Sequence, residues 1–170
     1  MKKQTNLLTA ILAMAQKKNT VLCIEGDAAA GKTTKATALQ HILKDKGFSV
    51  SVIHMDDFFL PFDMKTAERL ATAGENIHHE RFLQEVAPLL QQKANTKDNC
   101  TSVRYGKFDC SIGKITTQTT LQKSDIYIVE GSYSMNKNLI DLYDITVFMK
   151  IDLKTQTDRI CQRNTPEIAQ

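Results

Sequence analysis

One string constrains this chain more than any other: Gly26-Asp27-Ala28-Ala29-Ala30-Gly31-Lys32-Thr33, preceded by the apolar run Thr20 to Glu25 and succeeded by a helical pattern over residues 32–46. Glycines let the backbone wrap closely around an anion, and the N–H groups of the loop and the helix start point at it along the helix dipole. The lysine reaches the outer phosphates of a nucleotide, and the next hydroxyl suits Mg²⁺. A G-x-x-x-x-G-K-[ST] string between a strand and a helix therefore predicts a site for Mg·ATP, formed by residues 26 to 34 with Thr34 included.

The surrounding pattern is strand, helix, strand. Residues 20–25 are apolar and partly β-branched, residues 32–46 place Ala36, Leu39, Ile42 and Leu43 on one face before Gly47, and residues 48–55 form a second apolar run. This alternation predicts βαβ units, an α/β fold with a parallel sheet flanked by helices. Apolar runs at 126–129 and 145–151 supply two more strands, for a central sheet of four. Helices are expected over 4–17, 64–73 and 79–94, and a hairpin from 101–108 and 114–121 around Gly113. The expected organisation is one domain over residues 1–170 with a substrate-binding insertion at about 60–122.

Charge and composition exclude other classes. A net charge of +3 points to no nucleic-acid partner, and no window approaches the ~18 apolar residues that span a membrane. Cys23, Cys100, Cys110 and Cys161 form no CxxC pair and have no His at metal-ligand spacing, so reduced thiols and a cytoplasmic location are expected. A GTPase is disfavoured because Met149-Lys-Ile-Asp152 lacks the Asn of a guanine-reading Asn-Lys-x-Asp.

A nucleotide loop does not by itself name a reaction. Asp56 and Asp57 directly succeed the second strand, at the carboxyl edge where open α/β sheets bind ligands. A carboxylate there can take the proton of an acceptor hydroxyl or hold Mg²⁺, whereas Asp57 can equally cap the next segment. Glu130 closes the strand 126–129 and reads as a second acid acting on Mg²⁺ directly or through water. Phe58, Phe59 and Phe108 are either core residues or ligand contacts, and Arg159 and Arg163 either a solvated helix face or phosphate partners. His54, at a strand end, reads as a packing residue.

Several segments in order, Glu25 to Thr34, His54-Met-Asp-Asp-Phe-Phe-Leu-Pro61, Glu80-Arg-Phe82, Phe108-Asp-Cys110, Val129-Glu-Gly-Ser-Tyr-Ser134 and Arg159 to Asn164, resemble the uridine kinase family. The resemblance implies that Asp56 is the catalytic acid and a metal partner with Thr33 and Glu130. It also implies that Lys32, Arg159 and Arg163 neutralise phosphoryl charge. On the substrate side it implies Asp57, Phe59, His78, Arg81, Phe108, Asp109 and Tyr133. The implied reaction is ATP-dependent phosphorylation of a nucleoside, uridine or cytidine. Kinases for pantothenate, phosphoribulose or another small alcohol, and a non-catalytic nucleotide-binding module, are the alternatives. Two departures loosen the acceptor: His78 stands where related sequences carry Asp, and Gly106 where they often carry Arg. Related sequences also continue beyond the point where this one stops, at Gln170. That implies an open sheet edge, slow turnover and self-association into a homo-oligomer.

Overall fold

A computed structural model describes residues 6–16, 19–92 and 100–164, the side chains of Arg163 and Asn164 apart. The chain opens with helix α1 (Leu7–Ala15), started by Asn6, whose side chain accepts the Leu8 N–H at 3.1 Å. Strand β1 (Thr20–Gly26), helix α2 (Lys32–Asp45) and strand β2 (Val50–His54) come next, as the sequence predicts. The second strand is shorter than expected, because Met55–Phe58 turns into a 3₁₀ segment. After a middle region come β3 (Ser102–Asp109), β4 (Lys114–Gln122), β5 (Ile126–Glu130) and β6 (Ile145–Met149).

Four of these strands form one parallel sheet in the order β2-β5-β1-β6. Strands β1 and β5 are internal and covered on both faces, which is why their sequences are continuous apolar runs rather than alternations. Alternate side chains serve two cores. Ile126 and Ile128 of β5 face Leu22, Ile24, Leu39 and Leu43 under α1 and α2, whereas Tyr127 and Val129 face Ile53, Phe58, Phe82 and Tyr105. Register carries function here: Glu130 is paired with Ile24 on one side and His54 on the other, and Gly26 is paired with Met149. The carboxyl ends of all four strands therefore meet at one edge.

The middle region departs from expectation. The expected helix over 64–73 is reduced to a 3₁₀ turn at Phe62–Met64 and a single turn, α3 (Ala67–Leu70). Met64 and Leu70 are both exposed, so no buried apolar face holds a longer helix. In place of one helix over 79–94 stand α4 (His79–Glu85) and α5 (Ala87–Leu90), broken at Val86 with φ −115°. Pro88 explains the break, since it lacks the N–H and its ring clashes with the carbonyl four residues back. Residues 93 and 94 lie outside the described residues, as do 4, 5 and 17 of the first expected helix. Strands β3 and β4 pair antiparallel from Ser102↔Gln122 to Asp109↔Lys114, with an irregularity at Lys107/Phe108.

Candidate active site

The loop between β1 and α2 is fixed by contacts with the end of β6 and the chain just after it. A Cβ on Gly26 would lie 2.2 Å from the Met149 carbonyl oxygen, so only glycine lets the two strands close up here. The Asp27 N–H donates to Met149 O at 3.0 Å, and Asp27 Oδ2 accepts the Ile151 N–H at 3.1 Å. The last helix, α6 (Leu153–Asn164), adds two more ties. Gln156 Nε2 donates to Ala28 O at 3.2 Å, and Arg159 Nη1 donates to Ala29 O at 3.0 Å. Lys32 Nζ curls over the loop and donates to Gly26 O and Asp27 O, each at 3.0 Å. The first N–H groups of α2 have no partners within the helix, and the residues that carry them, Lys32, Thr33 and Thr34, line one concavity beside the loop.

That concavity is a hollow of about 250 Å³ lined by Ala28, Lys32, Thr33, Asp56, Glu130 and Ser132 among others. Glu130 is 4% exposed. Its carboxylate receives the Thr33 hydroxyl, 3.1 Å from both oxygens, and the His54 Nδ1–H at 2.6 Å from Oε1. The hydrogen bond to Glu130 holds the His54 pKa above its ordinary value. Asp56 stands exposed at the mouth of the hollow. Partial desolvation and the nearby Glu130 charge raise its pKa, against the pull of Lys32. One ammonium, one hydroxyl, two carboxylates and a collar of N–H groups fit a polyphosphate carrying a divalent cation. Among the described residues no three His, Cys, Asp or Glu side chains gather as a metal cage, and Mg²⁺ is ordinarily held by one or two carboxylates together with phosphate oxygens. Thr33, Asp56 and Glu130 are the residues that would hold it. A neighbouring cavity of about 580 Å³, bounded by Ala30, Lys35, Ala38, Met149, Arg159 and Gln162, has room for the rest of a nucleotide.

The residues expected on the substrate side divide. Phe59 and Phe108 meet edge to face with centroids 6.1 Å apart, both half-buried. Asp57 is 7% exposed. The Tyr105 hydroxyl donates to its Oδ2 at 3.4 Å and Lys107 Nζ lies 3.7 Å from Oδ1, while burial raises its pKa. Arg81 is turned inward: its guanidinium donates to the carbonyls of Gly106 and Asp57 and lies over the Phe58 ring at 4.7 Å. Burial lowers its pKa. His78 sits at the N-cap of α4, its Nδ1 3.3 Å from the Arg81 N–H and 3.1 Å from Glu80 Oε2. The Asp109 carboxylate accepts the Ser111 N–H at 2.8 Å and the Ser111 hydroxyl at 2.5 Å, bonds that lower its pKa. Tyr133, with φ 62°, lines a separate hollow of about 200 Å³ beside Glu25, Gly74 and Asn136. Arg163 lies in α6, its side chain outside the described residues.

Lys32, Thr33, Asp56 and Glu130 thus converge on one hollow, while Arg159 borders the neighbouring cavity and none of the residues expected on the substrate side (Asp57, Phe59, His78, Arg81, Phe108, Asp109, Tyr133) lines the hollow around Lys32 and Asp56. Sequence reasoning gave no part in the site to His54 or to the pair Tyr105 and Lys107. The signal for the pair was their i, i+2 spacing, which puts them on one strand face; that for His54 was register with Glu130, invisible before the strand order is known.

The family model for the phosphoribulokinase / uridine kinase family matches residues 21–167. The chain belongs to that family. Its fold is similar to that of a possible uridine kinase from Bacillus stearothermophilus, with a TM-score of 0.70, 22% identity, and 94% of this chain and 90% of that one covered. It is also similar to D-glycerate 3-kinase from Cryptococcus neoformans, with a TM-score of 0.65, 15% identity, and 92% and 75% covered. At such identities the likeness is one of fold. No curated protein sequence matches the chain. The phosphoribulokinase / uridine kinase assignment agrees with a parallel sheet bearing a phosphate loop at its carboxyl edge. Among the described residues no helix is long and apolar enough to cross a membrane.

Proposed function

We propose that this chain transfers the γ-phosphoryl group of Mg·ATP to a hydroxyl of a nucleoside, uridine or cytidine, giving the monophosphate. The observation that carries the reading is Asp56, an exposed carboxylate with a raised pKa in one hollow with Lys32, Thr33 and Glu130. Bound there, Mg·ATP supplies the phosphoryl group and a cation that draws charge from its oxygens. Lys32 provides a fixed counter-charge once it leaves the carbonyls of its own loop. Asp56 takes the acceptor's hydroxyl proton as that oxygen bonds to phosphorus and the bridging oxygen departs with ADP. Arg159, which rests on Ala29 O of the loop, would neutralise phosphoryl charge on leaving that carbonyl, together with Arg163 one turn later on α6. The Phe59–Phe108 pair offers aromatic faces for a nucleobase.

A second reading, a kinase for another small alcohol, is favoured by one observation. His78 and Asp109, two of the groups assigned to a nucleoside, are already engaged with α4 and the hairpin turn. A panel of nucleosides and small alcohols assayed by ADP release separates the two. Release with uridine or cytidine supports the nucleoside reading; release only with a non-nucleoside alcohol replaces it. No release with any acceptor, despite ATP binding, favours a non-catalytic module.

A further inference from the structure

We propose that His54 is a positioning residue that holds the Glu130 carboxylate in place for the metal-bound nucleotide, an inference that rests on the nucleotide reading above. Glu130 ends an internal strand and is 4% exposed. A carboxylate taken out of water needs hydrogen-bond partners or it is strongly disfavoured. Its two in-register neighbours in the parallel sheet are Ile24 of β1 and His54 of β2. Paired residues on adjacent parallel strands point to the same face, so only β2 can supply a polar side chain from within the sheet. It does so at 2.6 Å from Nδ1 to Oε1.

The other partner in the structure is the Thr33 hydroxyl, equidistant from the two carboxylate oxygens at 3.1 Å. Thr33 is the residue whose oxygen would turn toward Mg²⁺. If Thr33 were the sole support, Glu130 would lose its orientation at the moment the cation needs it. The imidazole removes that conflict, because its bond to Oε1 does not involve the loop. His54 also lies two residues before Asp56, on the strand that delivers the Asp56 turn. One ring therefore ties the Glu130 carboxylate to the strand that leads into Asp56. Groups of this kind, behind a metal-facing carboxylate, commonly alter metal affinity 10–100-fold when removed, of which about tenfold is expected here.

The test measures Mn²⁺ binding to the ADP-saturated protein by electron paramagnetic resonance, and ADP binding in chelator by calorimetry, for the unaltered protein and for His54→Ala, His54→Leu and His54→Asn. The Ala and Leu variants are expected to bind Mn²⁺ about tenfold more weakly with metal-free ADP affinity unchanged. The Asn side chain, whose amide N–H can replace Nδ1–H, is expected to recover most of the loss. Metal affinity unchanged in Ala and Leu overturns the assignment and leaves the nucleotide reading standing. Equal loss in Asn and Ala, or loss confined to a variant that circular dichroism shows unfolded, assigns the ring to packing and overturns it too. If the unaltered protein binds no ADP, the nucleotide reading fails and this inference fails with it.

Discussion

The Cα of Gly26 lies so close to Met149 that a side chain on it would strike the Met149 carbonyl oxygen at 2.2 Å and its Cβ at 2.8 Å. Gly31, at the other end of the loop, has φ 88° but nothing within 4 Å of a built Cβ. Gly26 is thus required on steric grounds in addition to its φ of 155°, and Gly31 for its backbone alone. Gly26→Ala is expected to lower stability by about 1–3 kcal/mol through overpacking, and to loosen the loop from β6. Gly31→Ala is expected to cost about 1–2 kcal/mol from the left-handed backbone alone. Chemical denaturation checks both, and a Gly26→Ala midpoint equal to that of the unaltered protein would contradict the close approach.

Lys32→Ala removes the ammonium that rests on Gly26 O and Asp27 O. Because those carbonyls can turn to water in the open hollow, the fold is expected to survive while ATP affinity and turnover are lost. Calorimetry with ATP checks this. Equal affinity in the two proteins would remove Lys32 from the phosphate site.

Asp56 and Asp57 are adjacent yet differ in burial, and their substitutions are expected to separate. Asp56→Asn should keep fold and ATP binding but lower turnover about 10²–10⁴-fold, since an amide cannot take the hydroxyl proton. Asp57 has a folded pKa raised above its ordinary 3.8, chiefly by burial and against the opposing charge of Lys107. Its contribution to stability is therefore fully present below the unfolded value and lost as pH rises through the folded one. Asp57→Asn is expected to flatten that decline and leave stability at pH 7 equal or higher. Urea midpoints measured from pH 3.5 to 7 decide it. A larger loss of turnover from Asp57→Asn than from Asp56→Asn would reverse the two roles.

The difference between these neighbours also marks how far sequence carries. The loop, the flanking strands and the placement of Asp56 and Glu130 were legible because each depends on local pattern: a glycine spacing, an apolar run, an acid at a strand end. The middle region was less so. Pro88 splits an apolar stretch that periodicity alone reads as continuous. The fates of Arg81, His78 and Asp109 were not legible, since each depends on which distant carbonyl or nearby N–H reaches it first. Arg81 is the sharpest case: its place over Phe58 and against Gly106 needs α4, the Met55–Phe58 turn and β3 together, and a Cβ at Gly106 would stand 3.1 Å from its Nη1.

The network around α3 and the start of α4 gives the last prediction. Arg69 Nη2 lies 2.8 Å from Glu80 Oε2, and Arg69 also donates to the carbonyls of Glu75 and Ile77 at 3.0 and 3.3 Å. Burial acts to raise the Glu80 pKa but is outweighed by the Arg69 hydrogen bond, a backbone hydrogen bond at the helix start and the His79 and Arg69 charges. The result is a carboxyl lowered from its ordinary 4.5 to about 2. A depressed folded pKa means that the carboxylate's stabilising contribution is present above 4.5 and is lost as pH falls through about 2. The Glu80 side chain is half exposed, so solvent screening keeps the energetic effect small, and the pKa itself is the better readout. Arg69→Met keeps the length of the side chain and removes both the charge and the donor. It is expected to bring the Glu80 carboxyl back up toward 4.5 in a carbon-detected NMR titration. It should also free the His78 ring, because Glu80 would no longer be held against it by Arg69. A Glu80 pKa that stays near 2 in the variant would show that the helix start and the His79 charge, rather than Arg69, set it.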